Sequence, residues 1–294
     1  MLEYNSIASL VKIADERGLS FSRLVLEDQA LDMEISESAV LERMKESLKI
    51  MRRSAEEGLK PDIRSASGLS GGDAYRMHEY DTRGTSLGGS FCARAISIAI
   101  AIMEYNAAMG KIVAAPTAGS CGILPAGILT MMELRGINED EAALALINAG
   151  AIGLVIANEA TIAGAEGGCQ AECGSAAAMT AGALVELSGG CNEMIAQASA
   201  IALKNQLGLV CDPVAGLVEV PCIKRNAGGI MCAIAAADMA LAGIKSLIPV
   251  DEVIWAMGEI AKTIPEALRE TAQGGLAASP SGKAIQERLF GKGL

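Results

Sequence analysis

From residue 91 onward the sequence repeats one pattern: a long Ala-, Ile-, Leu- and Met-rich segment, a short glycine-rich loop, then another such segment. No alternation of apolar and polar residues between turn signals competes with it. The pattern predicts helices over 91–109, 122–135, 139–157, 175–187, 192–207, 227–244 and 250–261. Hydrophobic residues make up 51% of the 294-residue chain but aromatics only 3%. The core must therefore be built from Ala, Ile, Leu, Val, Met and Gly, which let helix backbones approach closely and disfavour a β-sandwich. The expected fold class is all-α: a single globular domain of packed Ala/Gly-rich helices over 1–294. Within it, 1–60 is an N-terminal helical part, 61–275 a motif-bearing core and 276–294 a C-terminal tail.

The N-terminal part shows helix grammar without chemistry. Ser36-Glu37-Ser38 offers a capping hydroxyl and a first-turn acid, and Val40, Met44, Leu48 and Met51 recur at helical spacing beyond it. Asp15-Glu16-Arg17-Gly18 resembles a helix ending at a glycine. A scaffold or a subunit contact is the reading for this part. The formal charge of −11 argues against nucleic-acid binding, because no basic face is available to neutralise phosphates. Met1-Leu2-Glu3-Tyr4-Asn5 does not read as a secretory leader, and a cytoplasmic protein is expected. Two apolar stretches, 142–165 and 230–249, contain Asn148, Asn158, Glu159, Asp238 and Lys245, groups that are costly in lipid. Both are read as buried helices.

The loops carry the polar and sulfur groups. Ser65 to Gly72 and Gly84 to Ser90 are rich in glycine and hydroxyls. Ala115-Pro116-Thr117-Ala118-Gly119-Ser120-Cys121-Gly122 precedes a helix, where backbone N–H groups and hydroxyls suit either a helix cap or a carboxylate. Glu159 to Gly174 places Cys169, Cys173 and three acids around a glycine-rich turn, and Cys211 and Cys222 each lie within two residues of a proline. Cysteines on loops are better placed for ligation than those in Ala-rich helices, so Cys92, Cys191 and Cys232 are read as structural. Zinc-ribbon and ferredoxin spacings are absent. Spacing alone leaves a metal site and buried filler both open.

The segments A-P-T-A-G-S-C-G-I-L-P-A (115–126), A-E-G-G-C-Q-A-E (165–172) and C-D-P-V-A-G-L-V-E-V-P-C-I-K-R-N-A (211–227) resemble the iron–sulfur-dependent L-serine dehydratases, in particular the α subunit of the two-subunit bacterial form. The resemblance spans most of 65–275. It implies an all-helical catalytic domain holding a [4Fe–4S] cluster through Cys169, Cys211 and Cys222, with Cys121 and Cys173 outside the ligand set. It implies deamination of L-serine to pyruvate and ammonia. A cluster with three protein thiolates leaves one iron open to polarise the serine hydroxyl. Thr117, Ser120, Ser67 and Gly119 are the candidates to hold the substrate carboxylate. A monovalent cation such as potassium is a further cofactor to look for, with no residue assigned. Single-chain relatives carry a C-terminal cysteine that caps the fourth iron, whereas this sequence ends Phe290-Gly291-Lys292-Gly293-Leu294.

The catalytic base is not legible. The one histidine, His78, lies in a charged stretch and reads as a surface residue. The resemblance places the base on a β subunit, so this chain is expected to be catalytically incomplete alone and to form a hetero-oligomer. Two rival readings stand beside this one. A pyridoxal-phosphate lyase needs a Schiff-base lysine, for which Lys111 is conceivable, but no phosphate cradle or pyridine-nitrogen partner accompanies it. The other is a non-enzymatic helical scaffold or membrane protein.

Overall fold

A computed structural model describes residues 2–291 of the chain. Among the described residues it holds thirteen α-helices and no strand, and the all-α expectation holds. The helices are α1 (Ile7–Arg17), α2 (Phe21–Asp32), α3 (Glu37–Gly58), α4 (Asp73–Thr82), α5 (Gly89–Ala107), α6 (Ile123–Arg135) and α7 (Glu139–Glu159), followed by α8 (Gly164–Gly167), α9 (Ser175–Leu187), α10 (Asn192–Lys204), α11 (Cys222–Leu241), α12 (Val250–Thr263) and α13 (Pro280–Phe290).

The centre is α9, which packs on α6, α7, α10 and α11, while α5 packs on α3, α4, α6 and α11. Every residue of α9 from Ser175 to Val185 is buried. Its Ala-Ala-Ala and Ala-Gly-Ala runs explain how four neighbours reach it: small side chains let helix axes close up. The N-terminal helices wrap this centre. Ser6 caps α1, and the Asp251 carboxylate of α12 accepts from Ser6 Oγ at 2.7 Å and Ile7 N at 2.8 Å. Gly18 closes α1 in a left-handed conformation, and Ser36 caps α3, as their sequence signals predict. One helix, α7, is long and apolar enough to cross a bilayer, but 67% of its apolar window is buried inside the fold, as a core helix requires.

The boundaries differ from expectation at three places. Residues 73–82, between the two loops at 65–72 and 84–90 and absent from the expected helices, form α4. The tail contains α13, opened by Ser279 as cap and Pro280 in the first turn. Helix α11 starts at Cys222, five residues ahead of the expected start at 227, so Cys222 sits on a first helical turn rather than in a loop.

Candidate functional site

Four loops meet ahead of the N-terminus of α9, each pinned to the next by a buried polar side chain. The first pin is Gln170. Cys169 precedes a π-turn (Gln170–Gly174) that runs directly into α9. Gly168, at φ +74° and ψ −176°, supplies a conformation that only glycine tolerates. Gln170 N donates to Leu209 O at 2.9 Å, and the Gln170 side chain accepts from Gly208 N at 2.8 Å while donating to Met257 O at 3.2 Å. The Cys169 turn is thereby locked to the strand-like segment that carries Cys211. Cys211 is held in turn by its own backbone, donating to Leu268 O at 2.9 Å and accepting from Glu270 N at 2.8 Å.

The second pin is an ion pair. Arg225 on α11 donates to Asp212 Oδ1 at 2.7 Å and to Val210 O at 2.8 Å. Asp212, with its side chain only 4% exposed, also accepts from Leu276 N at 2.7 Å. The third pin is Asn226, fully buried, which donates to Gly119 O at 2.8 Å and Cys222 O at 2.9 Å and accepts from Gly122 N at 2.9 Å. It buckles the Cys222 turn to the loop that carries Thr117. The ring closes where Thr117 Oγ1 donates to Glu172 Oε1 at 2.6 Å, back on the π-turn. Backbone turns at cis Ala115–Pro116 and cis Val220–Pro221 flank this ring.

Cys169, Cys173, Cys211 and Cys222 are all buried inside the ring. The Cys169 and Cys173 sulfurs lie 3.3 Å apart, and Cys211 Sγ is 3.9 Å from Glu172 Oε2. Packing around Glu172 is tight. A Cβ on Gly119 would stand 2.9 Å from Oε1, and one on Gly164 would stand 2.6 Å from Oε2 and 3.2 Å from Cys211 Sγ. The hydrogen bond from Cys173 lowers the Cys169 thiol against the opposing effect of burial, and the Arg225 charge lowers it further. Cys173 is pushed up by that same bond and by burial. Burial, assisted by the Cys169 charge, raises Cys211 and brings Cys222 up to about 12. Burial likewise lifts the Glu172 carboxyl, with Thr117 opposing and Glu270 adding to it. These mutual influences place Cys169, Cys211 and Cys222 within electrostatic reach of one another. Among the described residues, no three His, Cys, Asp or Glu side chains converge as the ligands of one metal ion would.

Other sequence candidates fall differently. Thr117 and Ser120 share a hydroxyl contact of 3.2 Å at the Glu172 carboxylate, and Gly119 packs against the same group. Ser67 stands apart from them: it donates to Glu219 Oε1 at 2.6 Å, as Ser70 does to Oε2 at 2.6 Å. His78 faces Arg94, whose Nη1 lies 3.1 Å from Nδ1; since arginine only donates, Nδ1 accepts. Lys111 is exposed. Of the cysteines read as structural, Cys191 is exposed at the start of α10, and Cys92 borders a cavity of about 580 Å³ with Phe91, Arg135 and Asp238. Cys232, half-buried like Cys92, lies within 3.5 Å of Ala202 O. Sequence reasoning missed Gln170, Glu172, Asp212, Arg225 and Asn226 as the groups that assemble the ring. All five stand within four residues of a candidate cysteine, in the segments that drew attention to the cysteines.

Comparison with known proteins identifies the family. A family model described as serine dehydratase alpha chain matches residues 16–277. A probable L-serine dehydratase alpha chain of Bacillus subtilis is 48% identical over 294 residues, covering 99% of this chain and 97% of its own. The L-serine dehydratase alpha chain of Peptoniphilus asaccharolyticus is 44% identical over 289 residues, covering 98% and 99%. An L-serine dehydratase of Streptomyces coelicolor is 39% identical over 275 residues, which are 91% of this chain but 59% of that longer protein.

Proposed function

Because this chain belongs to the serine dehydratase alpha chain family, we propose that it converts L-serine to pyruvate and ammonia in company with a β subunit. The observation that carries the reading is the hydrogen-bonded ring that brings Cys169, Cys211 and the first turn of α11 with Cys222 into one buried crossing. The residues fit an iron–sulfur cluster. The donor set is all sulfur, and it is shielded from water. Ligands of a polynuclear cluster bind different irons and so stand apart. Cys169, Cys211 and Cys222 would hold a [4Fe–4S] cluster. When bound, it supplies a Lewis-acidic iron for the serine hydroxyl.

The chain's own residues do the rest of the positioning. Arg225 brings positive charge to the Cys169 thiolate and so offsets part of the cost of burying several thiolates together. The Glu172 carboxylate, set beside Cys211, can accept from the substrate ammonium. The Thr117 and Ser120 hydroxyls and the backbone at Gly119 would hold the substrate carboxylate, with Thr117 first releasing Glu172. Ser67 joins them only by giving up its bond to Glu219. Burial of the crossing excludes water, which strengthens each of these electrostatic contacts.

The acceptor of the serine α-proton is assigned to the β subunit. His78, the single histidine, is engaged by Arg94. This chain matches almost the whole of the alpha chains named above but only 59% of the longer Streptomyces protein. A reducing cytoplasmic setting suits eight free thiols.

Anaerobic reconstitution with ferrous iron and sulfide, followed by serine-dependent pyruvate formation with and without a β chain, tests the reading. A brown, air-bleached protein that gains activity only with the β chain is expected. Failure to take up iron would defeat the cluster. Full activity of this chain alone would defeat the partner. A yellow chromophore removed by hydroxylamine would point to pyridoxal phosphate instead.

A further inference from the structure

Cys173 has no part in the reaction proposed above, and its geometry against Cys169 is distinctive. The two sulfurs are 3.3 Å apart, non-bonded, at the two arms of the π-turn. Residues four apart on a regular helix have Cβ atoms about 5–6 Å apart, so contact between their sulfurs requires both rotamers to converge. Here they do, and the surroundings keep them there. Cys173 is fully buried and Cys169 is 3% exposed. Gln170 fixes the turn between them through three hydrogen bonds. A disulfide would bring the sulfurs to about 2.05 Å and the Cβ atoms to about 3.8 Å, so the turn must tighten as the bond forms.

We propose that Cys169 and Cys173 form a reversible disulfide when the cluster is absent, with a small peroxide as the oxidant. The chemistry balances in two steps. The Cys169 sulfur attacks one peroxide oxygen; an S–O bond forms, the O–O bond breaks, and hydroxide leaves to be protonated to water by the proton that Cys169 gives up. Cys173 then attacks the oxidised sulfur; the S–S bond forms, the S–O bond breaks, and the hydroxyl leaves as a second water with the Cys173 proton. Two thiols are oxidised by two electrons and one peroxide is reduced. A thiol reductant reverses the result by exchange.

The consequence for the site rests on the reading of Cys169 as a cluster ligand. A sulfur engaged in the disulfide cannot bind iron, and a sulfur bound to iron cannot form the disulfide, so loading and locking exclude each other. Cys173 thereby protects Cys169 from over-oxidation to the irreversible sulfinic state during any interval without a cluster.

The sequence offers a direct readout, because Glu166, Glu172 and Glu186 let a glutamyl endopeptidase separate the two cysteines into peptides 167–172 and 173–186. The full chain, stripped of metal by a chelator under argon, is treated with stoichiometric hydrogen peroxide, alkylated and digested. Mass spectrometry is expected to find those two peptides linked, and to find the link gone after dithiothreitol. Chain reconstituted with iron and sulfide before peroxide should show at least a tenfold lower yield of the link. Iron uptake by the oxidised chain should fall about tenfold and recover with dithiothreitol, whereas the oxidised Cys173→Ser chain should fail to recover. Finding Cys169 joined to Cys211 or Cys222, finding all thiols free, or finding full recovery in Cys173→Ser would overturn the proposal. A link that forms without lowering iron uptake would sustain the disulfide and overturn Cys169 as a ligand.

Discussion

The serine–glycine loop at 65–74 and the cysteine crossing at 164–227 are both built over buried carboxylates, and the two are treated oppositely. Beneath the first, Glu104 is fully buried and accepts from three consecutive backbone amides: Gly72 at 3.1 Å, Asp73 at 2.9 Å and Ala74 at 3.2 Å. It caps α4 from another helix. Glu219, which reaches this loop from the segment between Cys211 and Cys222, is similarly supplied by the Ser67 and Ser70 hydroxyls. Beneath the second, Glu172 receives one hydroxyl, has a thiol at 3.9 Å, and feels the unfavourable charge of Glu270. A saturated buried charge fixes architecture, because every partner is already spent on the fold. An under-supplied one retains capacity for a ligand and costs stability meanwhile.

That contrast can be broken by substitution, and the largest effect is expected at the sulfurs themselves. Single replacement of Cys169, Cys211 or Cys222 by Ser should abolish iron uptake and the brown chromophore in anaerobic reconstitution, while Cys232→Ser leaves both unchanged. If all four variants load equally, the crossing is not the metal site. Next is the ion pair that shapes the crossing from outside. Asp212→Ala strands a mostly buried Arg225 and frees the Leu276 amide, and should cost about 3–5 kcal/mol in urea unfolding. Glu104→Ala leaves three amides without their acceptor and should cost about 2–3 kcal/mol while leaving iron uptake per folded chain unchanged. A loss of uptake there would show that the two regions are not separable.

The smallest effect carries the opposite sign. Burial raises the Glu172 carboxyl in the folded chain above its unfolded value, so the folded state holds that proton more tightly. Wild-type stability attributable to this group is therefore greatest at acidic pH. It declines as pH rises from about 4.3 through the raised folded value. Glu172→Gln does not titrate, so it should match wild type near pH 4 and melt higher at pH 8, by a margin on the order of 2 °C. Serine turnover in the reconstituted complex should fall in the same variant. A melting temperature that drops at pH 8 would mean that Glu172 is as structural as Glu104.

Much of this fold was legible because its grammar is local. Ala-rich segments, Ser36 as a cap and Gly18 as a terminator act within a few residues of themselves, and the helices appear where those signals lie. The failures have physical reasons too. Helix α4 buries little beyond Ala74 and is capped by Glu104, 32 residues from Gly72 in sequence, so its own residues say little about it. The early start of α11 was hidden because Pro221 and the charged pair Lys224–Arg225 look like a loop, although a proline just before a helix is a start signal. Ser279-Pro280 carried that same signal for α13 and was overlooked in the tail. At the site, Cys169, Cys211 and Cys222 stood out because each lies in a distinctive segment. The ring that unites them could not be read, since Gln170, Arg225 and Asn226 act on backbone carbonyls and amides whose positions only the folded chain defines.

Asp212 accepts from the amide of Leu276, and Cys211 is clasped by residues 268 and 270. For a chain made from its N-terminus, this sets a calendar. Cys169 and Cys222 leave the ribosome well before the segment that clasps the third sulfur. The thiols therefore spend their first moments outside the architecture that holds them together, and the crossing can be finished only once residue 276 has emerged. On the proposed cluster reading, metal delivery would follow synthesis of nearly all of the helical body.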